Sequence, residues 1–199
     1  GRWQPMSEPV NVDRQVLDKD FHSGVCLATS FADEASRWHN SDIGLIPCAD
    51  GGTKISQWQP GEILFDHAVM MAKLAMRTSE LSGIIWHQGE SDCDNFDREV
   101  YRRDFLNTMI TLRKELNAEN VPLILGEISE KISDEFKLGE GICKLNALLK
   151  ELKEELPLCE LVSVGDLPLK PDGLHFNSAS LRELGKRYFE KYKIVRKGM

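Results

Sequence analysis

Short, wholly apolar runs alternate along this chain with longer amphipathic stretches, and this alternation constrains the possible folds most. The apolar runs lack polar alternation, as do strands that a parallel sheet buries on both faces. They occupy residues 43–49, 84–87, 121–126 and 161–164. The amphipathic stretches have apolar residues at helical spacing and occupy residues 28–38, 65–81, 96–116, 143–156 and 178–192. Strand and helix in turn predict an α/β domain with helices on both faces of a parallel sheet.

Length and charge narrow the class of protein further. A chain of 199 residues with 41% apolar and 29% charged residues is typical of one globular domain, and we expect one domain over residues 1–199. The net charge of −7 would repel the negatively charged phosphate backbone of a nucleic acid, so a nucleic-acid partner is not expected. The chain has no apolar run of 18 residues, so we expect no membrane partner. The oligomeric state is not readable from the sequence.

Cysteine and histidine spacing argues against metal and disulfide chemistry. The five cysteines form no C-x-x-C pair, which favours reduced thiols and a cytoplasmic location over a disulfide scaffold. The five histidines form no H-E-x-x-H array, so neither a metal site nor a cofactor is predicted. The chain begins at Gly1 rather than at a methionine, so its natural start is expected to lie elsewhere.

Polar segments follow the apolar runs at residues 50–53 and 88–92, and a third, residues 171–175, precedes the last predicted helix. Ligands of open α/β sheets bind outside the carboxyl ends of the strands, so a shared site is expected there. Within the third segment, Asp172 and His175 are three residues apart. That spacing lets the carboxylate accept from one imidazole nitrogen while the other faces a nucleophile, as in acyl transfer. The alternative is a surface turn, favoured by Asp172, in which His175 packs.

The other two segments hold candidate groups for stabilising negative charge. Gly51 and Gly52 could present backbone N–H groups to a developing oxyanion, although such a pair is also an ordinary turn. Gln88 could offer a side-chain N–H to the same place, or could simply hydrogen-bond a loop.

Residues 86–92, Trp-His-Gln-Gly-Glu-Ser-Asp, are the most distinctive stretch of the chain, because so many polar groups at a strand end are costly without partners. This segment resembles the third conserved block of the carbohydrate acetylesterases in the SGNH (GDSL-type) hydrolase superfamily. The similar branch contains carbohydrate esterase family six and the sialate O-acetylesterases. Residues 44–53 with Trp58 resemble the second block, residues 172–176 the fifth block, and residues 183–188 the helix after it. The blocks occur in the family's order.

The resemblance implies a three-layer α/β/α sandwich around a parallel sheet, which is the flavodoxin-like SGNH hydrolase fold. It implies a serine esterase that removes O-acetyl groups from carbohydrates through an acetyl-enzyme. His175 would be the general base and then the general acid, and Asp172 its orienting partner. The substrate would be an acetyl ester of a small molecule or oligosaccharide, such as acetylxylan or O-acetyl sialic acid, and no cofactor is required.

The resemblance also assigns roles around the reacting ester. Gly51 or Gly52 would provide a backbone N–H of the oxyanion hole, and Gln88 its side-chain donor. Glu90 belongs to the family pattern and would have a supporting role. Trp58 would either stack on a sugar ring or pack in the core.

The chain departs from the family at the nucleophile. The family's first block, a segment of the type Gly-Gln-Ser-Asn at the end of the first strand, does not occur in these 199 residues. We favour an N-terminally incomplete esterase that lacks this strand. A second hypothesis is that Ser91 substitutes, although Cys93 breaks the G-x-S-x-G pattern and a helix-capping or local role suits Ser91 better. A third is a catalytically inactive carbohydrate-binding relative.

Overall fold

The computed structural model describes residues 2–11 and 23–199, which contain a parallel three-stranded sheet. Its strands are β1 (Ile84–Trp86), β2 (Leu123–Gly126) and β3 (Cys159–Val162), in the order β1-β2-β3. Ile84 pairs with Leu123, and Leu123 with Cys159. Every residue of β2 is buried, as expected for a strand covered on both faces. The apolar runs at 84–87 and 161–164 also contain strand residues, and two of the three residues of β1 are half-buried.

The strand predicted over residues 43–49 is wrong, because this segment has no ladder partner in the described part of the chain. Pro47 has no N–H to donate to a ladder. Gly44 lies against the Trp3 indole, and an added Cβ there would come within 2.6 Å of the ring. The apolar side chains pack instead as a loop, with Ile46 against the small cluster around Leu116.

The described residues form five α-helices, and all five predicted helices are confirmed. They are α1 (Leu27–His39), α2 (Ile63–Ala75), α3 (Arg98–Glu115), α4 (Gly139–Glu155) and α5 (Ser178–Gly198). The second helix ends six residues before the predicted position 81. The hydroxyls of Thr78 and Ser79 donate to the carbonyl of Ala75, and hydroxyls of this kind compete with helix continuation.

The helices cover both faces of the sheet, which makes the fold a three-layer α/β/α sandwich. Leu123 and Leu125 belong to one core cluster, with Phe105 of α3 and Leu145 of α4. Ile124 points the other way, as the two-residue period of a strand requires, into a second cluster. That second cluster joins α1 and α5 through three aromatic residues, Phe31, Tyr188 and Tyr192. The architecture predicted from sequence is therefore confirmed.

The helices α1 and α5 approach each other closely at Gly185. A Cβ atom there would overlap the carbonyl oxygen of Leu27 and the hydroxyl of Ser30.

None of the helices in the described ranges is both long and apolar enough to cross a bilayer. All five cysteines are free thiols.

Candidate functional site

The structure brings two of the three polar segments into contact beyond the carboxyl end of β1, and residues that flank the third lie nearby. The Gln88 amide donates to the carbonyl oxygen of Thr53 over 2.8 Å, which joins residues 88–92 to residues 50–53. The His87 ring lies 6.0 Å, centroid to centroid, from Phe176, which directly follows His175. Residues 50–53 and 88–92 are therefore joined directly, residues 171–175 adjoin them through the His87–Phe176 contact, and a shared site of all three segments stays a prediction.

Asp172 and His175 form the hydrogen-bonded pair that their spacing predicts. His175 Nδ1 lies 3.0 Å from Asp172 Oδ2, and Asp172 Oδ1 accepts the backbone N–H groups of Leu174 and His175 at 2.9 and 3.0 Å. These backbone bonds first, and His175 second, lower the pKa of Asp172 to about 2. An ionised carboxylate only accepts, so Nδ1 carries the ring proton and Nε2 is the basic nitrogen. The His175 side chain is 67% exposed in this structure.

A compact turn holds this pair in place. Lys170 N–H donates to the His175 carbonyl over 2.7 Å, and Gly173 N–H returns to the Lys170 carbonyl over 3.0 Å. Gly173 has φ +68°, a conformation that favours glycine. Asn177 caps α5 by accepting from Ser180 N–H.

Ser133 supports the same turn from a different part of the chain, and the sequence analysis missed it. Its N–H donates to the Gly173 carbonyl over 2.8 Å. The two residues lie so close that a Cβ at Gly173 would be 2.9 Å from Ser133 Cβ. No local pattern indicates this contact, because forty residues separate the partners.

The Gln88 side chain is hydrogen-bonded on every side. Its Nε2 donates to the Thr53 carbonyl at 2.8 Å and to Asp92 Oδ2 at 2.5 Å. Its Oε1 accepts from the hydroxyl of Tyr101 at 3.2 Å. The predicted oxyanion role needs an N–H group aimed at a ligand, whereas both N–H groups of this amide already have protein partners.

Asp92 is a second residue that the sequence analysis did not single out. Both of its carboxylate oxygens lie 3.1 Å from the Ile55 backbone nitrogen, and one also accepts from Gln88. Burial raises the pKa of Asp92, and the hydrogen bonds from Gln88 and Ile55 act in the opposite direction. Its place at the end of the distinctive segment 86–92 is the signal that could have found it.

The glycine pair lies in a turn beside this network. Gly51 and Gly52 are both exposed, and Gly52 has φ +68°. The turn closes where the Thr53 hydroxyl donates to the Asp50 carbonyl over 2.9 Å.

Trp58 lies in the core and offers no open ring face for a sugar. Only 7% of it is exposed, and its indole N–H donates to Thr53 Oγ1 over 3.1 Å. Its ring meets that of Trp86 edge to face, with the centroids 5.2 Å apart. The stacking role is therefore replaced by the core-packing alternative.

His87 and Glu90 complete the polar surroundings of β1. Tyr188 donates its one hydroxyl proton to the Trp86 carbonyl, so it accepts from His87 Nδ1–H at 3.0 Å. Burial lowers the pKa of His87, and the half-buried Glu90 carboxylate partly offsets that effect. Both observations give a neutral His87 with its proton on Nδ1.

Ser91 lies in the 3₁₀ turn Glu90–Asp92 and is half-buried. The predicted capping role is wrong, because Asp97 caps α3 by accepting from the N–H groups of Glu99 and Val100. Across residues 2–11 and 23–199, no group of three or more His, Cys, Asp or Glu side chains could hold a metal ion.

Comparisons with known proteins agree on one family. Residues 1–194 match the family described as "Carbohydrate esterase, sialic acid-specific acetylesterase". A probable carbohydrate esterase of Arabidopsis thaliana is 31% identical over 196 residues, which cover 96% of this chain and 71% of that protein.

Two solved structures share the fold. An X-ray structure of an Arabidopsis thaliana protein superposes with a TM-score of 0.84 at 31% identity, covering 97% of this chain and 77% of that one. A carbohydrate acetylesterase from Xanthomonas citri superposes with a TM-score of 0.66 at 18% identity, covering 87% of this chain and 41% of that one. The second likeness shows the fold alone.

Proposed function

The chain belongs to the carbohydrate esterase family of sialic acid-specific acetylesterases, and from this premise we propose that Asp172 and His175 serve a serine-type removal of O-acetyl groups from carbohydrates. The observation that carries the proposal is the 3.0 Å hydrogen bond between Asp172 Oδ2 and His175 Nδ1. It holds the imidazole in the tautomer whose Nε2 can accept a proton.

The pair would act in both halves of the reaction. His175 Nε2 takes the proton of a serine hydroxyl as the serine oxygen attacks the acetyl carbonyl, and Asp172 stabilises the imidazolium that results. The imidazolium then returns the proton to the departing sugar oxygen, leaving an acetyl-serine. A water molecule, deprotonated by the same Nε2, attacks that ester and releases acetate, and the proton returns to the serine. The low pKa of Asp172 keeps its charge available throughout.

The substrate class of this proposal rests on the family. The family description names sialic acid, so O-acetyl sialic acid is the first substrate to test, followed by acetylated xylo-oligosaccharides.

The decisive experiment measures hydrolysis of an aryl acetate and of O-acetyl sialic acid by the full-length natural protein and its variants, with the 199-residue chain assayed beside them. Because a positioned general base contributes about 10²–10⁴-fold, His175→Ala should lower kcat by that factor, and Asp172→Asn should lower it substantially. His39→Ala, at the end of α1, and Asp94→Asn, which is exposed, are matched controls and should leave kcat unchanged.

A fluorophosphonate label, followed by peptide mapping, identifies the serine. A labelled serine in an active enzyme supports the proposal, and a label on Ser91 would make that residue the nucleophile. Equal activity in wild type and His175→Ala would refute the assigned base. Tight binding of the acetylated sugar with no turnover would favour the inactive carbohydrate-binding alternative.

A further inference from the structure

Hydrogen bonds within the turn at residues 172–175 fix the internal geometry of the Asp172–His175 pair. Asp172 accepts from the backbone N–H groups of Leu174 and His175 and faces the His175 ring. All of these partners belong to the turn, so they would move together if the turn moved. The side chains are 44% exposed at Asp172 and 67% exposed at His175. The direction of His175 Nε2 therefore depends on the contacts that other segments make with the turn.

Those contacts hold the turn at its base and at its tip. At the base, Leu169 pairs with Phe176 in an antiparallel bridge, and Phe176 is buried. At the tip, Ser133 N–H donates to the Gly173 carbonyl over 2.8 Å. Leu174 adds apolar packing against the core cluster on the α3–α4 face of the sheet, and such packing has no preferred direction. The hydrogen bond at Gly173 is directional, so it defines where the tip lies.

The segment that presents Ser133 is itself held in the core. Asn146 of α4 accepts the N–H of Ile128 and donates to the Ile128 carbonyl, both over 2.9 Å. Ile132, directly before Ser133, is 7% exposed and packs in the same core cluster. The donor to Gly173 is therefore fixed relative to α4 and β2, and it does not move with the turn.

Ser133 and Gly173 also approach each other closely. A Cβ atom at Gly173 would lie 2.9 Å from Ser133 Cβ, which is closer than such atoms normally come. The contact limits how near the tip can come to Ser133, and the hydrogen bond limits how far it can move away. The position of the tip is thus restrained in both directions.

We propose that Ser133 is a positioning residue for His175, acting through Gly173: its backbone N–H holds the tip of the turn where His175 Nε2 reaches the serine hydroxyl. The inference rests on the proposed function, because the direction of Nε2 matters for catalysis only if His175 is the base. A displacement of about 1 Å can cost about 10²-fold in rate. Proton transfer takes place in the transition state, so the loss falls on kcat and leaves KM largely unchanged.

The first test needs no catalytic activity. Hydrogen exchange of the Ser133 amide, followed by NMR in the full-length natural protein, should be at least about tenfold slower than in an unstructured peptide, because this proton is bonded to the Gly173 carbonyl. In Gly173→Ala the exchange should speed up, since the added Cβ meets that of Ser133 and separates the two groups. An unprotected amide in the wild type, or an unchanged rate in Gly173→Ala, would overturn the inference.

The second test compares Ser133→Pro with Ser133→Ala in hydrolysis of the aryl acetate. Ser133 has φ −53°, which a proline ring can adopt, so proline removes the N–H without imposing a new φ. Alanine keeps the N–H and, like proline, lacks the hydroxyl that accepts from Glu135 N–H. The kcat of Ser133→Pro should be about 10–100-fold below that of Ser133→Ala, with the two KM values within about twofold of each other. Equal kcat values in two folded variants would overturn the inference.

A rescue experiment avoids proline altogether. Gly173→Ala should lower kcat, because its Cβ meets Ser133 Cβ and displaces the tip. Adding Ser133→Gly removes the facing Cβ and leaves Ser133 Cα at 3.9 Å, an ordinary contact, so kcat should rise about threefold or more above that of Gly173→Ala. The strain of alanine at the positive φ of residue 173 is common to both variants and cancels in this comparison. Failure to recover would overturn the inference. Absence of turnover in the wild type would refute the proposed function, and the exchange experiment would still decide whether Ser133 holds the turn.

Discussion

Replacing Asn146 with alanine should destabilise the fold strongly, because this α4 side chain is the hydrogen-bond partner of a buried backbone segment. Asn146 Oδ1 accepts the N–H of Ile128 over 2.9 Å, and its Nδ2 donates to the carbonyl of the same residue over 2.9 Å. Asn146 is 3% exposed and Ile128 is 1% exposed. Ile128 lies just after β2, in the connection that leads to Ser133 and so to the His175 turn.

The magnitude follows from the two backbone groups that the substitution leaves unpaired. A buried polar group without a partner costs about 1–3 kcal/mol, so the pair predicts a loss of about 2–6 kcal/mol in the free energy of unfolding. The total stability of such a domain is about 5–15 kcal/mol, so the variant should remain folded in buffer in most of that range. With a urea dependence of about 2–3 kcal/mol per M, the unfolding midpoint should fall by about 0.7–3 M.

Urea unfolding followed by far-UV circular dichroism measures this loss. Asn107→Ala is the matched control, because Asn107 is exposed and donates a single bond to Gln59, so its midpoint should stay close to that of the wild type. Asn146→Asp should be destabilised as well, since a carboxylate accepts from the Ile128 N–H but cannot donate to its carbonyl. A loss below about 1 kcal/mol for Asn146→Ala, with an unchanged urea dependence, would refute the reasoning.

Two further predictions concern the packing of α1 and α5. Gly185→Ala should destabilise the fold by at least the ~1–3 kcal/mol typical of an overpacked core, because its Cβ meets the Leu27 carbonyl and the Ser30 hydroxyl, and an unchanged thermal midpoint would contradict this. Glu8→Gln should remove a contribution to folding stability that depends on pH. Hydrogen bonding to Arg182 lowers the pKa of Glu8 to about 2 in the folded protein, below its ordinary value of 4.5. The ionised carboxylate therefore stabilises the fold fully above pH 4.5, and this stabilisation is lost as the pH falls towards 2. The difference in thermal midpoint between wild type and Glu8→Gln should therefore shrink over that interval, and a constant difference would exclude the ion pair as its source.

The strands show both the strength and the weakness of reading structure from apolar runs. The run around Ile124 indicates its strand correctly, because a strand covered on both faces must be apolar at every position. Residues 43–49 have the same composition and form a loop. Apolar side chains can be buried without the backbone pairing to a neighbouring strand. Pro47 and the Gly44–Trp3 contact favour the loop here.

The candidate site likewise contains one feature that the sequence predicts and one that it does not. The sequence predicts Asp172 and His175 as a pair, because two side chains three positions apart in one turn have few possible relative positions. The role expected for Gln88 was inferred from its position at a strand end, which says nothing about how many partners meet its amide. Three groups from separate segments, Thr53, Asp92 and Tyr101, take up those hydrogen bonds.

The sequence by itself determined the layered α/β architecture, the helices and the Asp172–His175 pair, because hydrophobic period and turn chemistry act over a few residues. Only the tertiary structure decided which distant groups meet: Ser133 with Gly173, Asp92 with Ile55, and the burial of Trp58. Those contacts depend on loop closure and on the direction each side chain takes after packing. No local pattern of residue types records either of these, so the partners become visible only when the chain is folded.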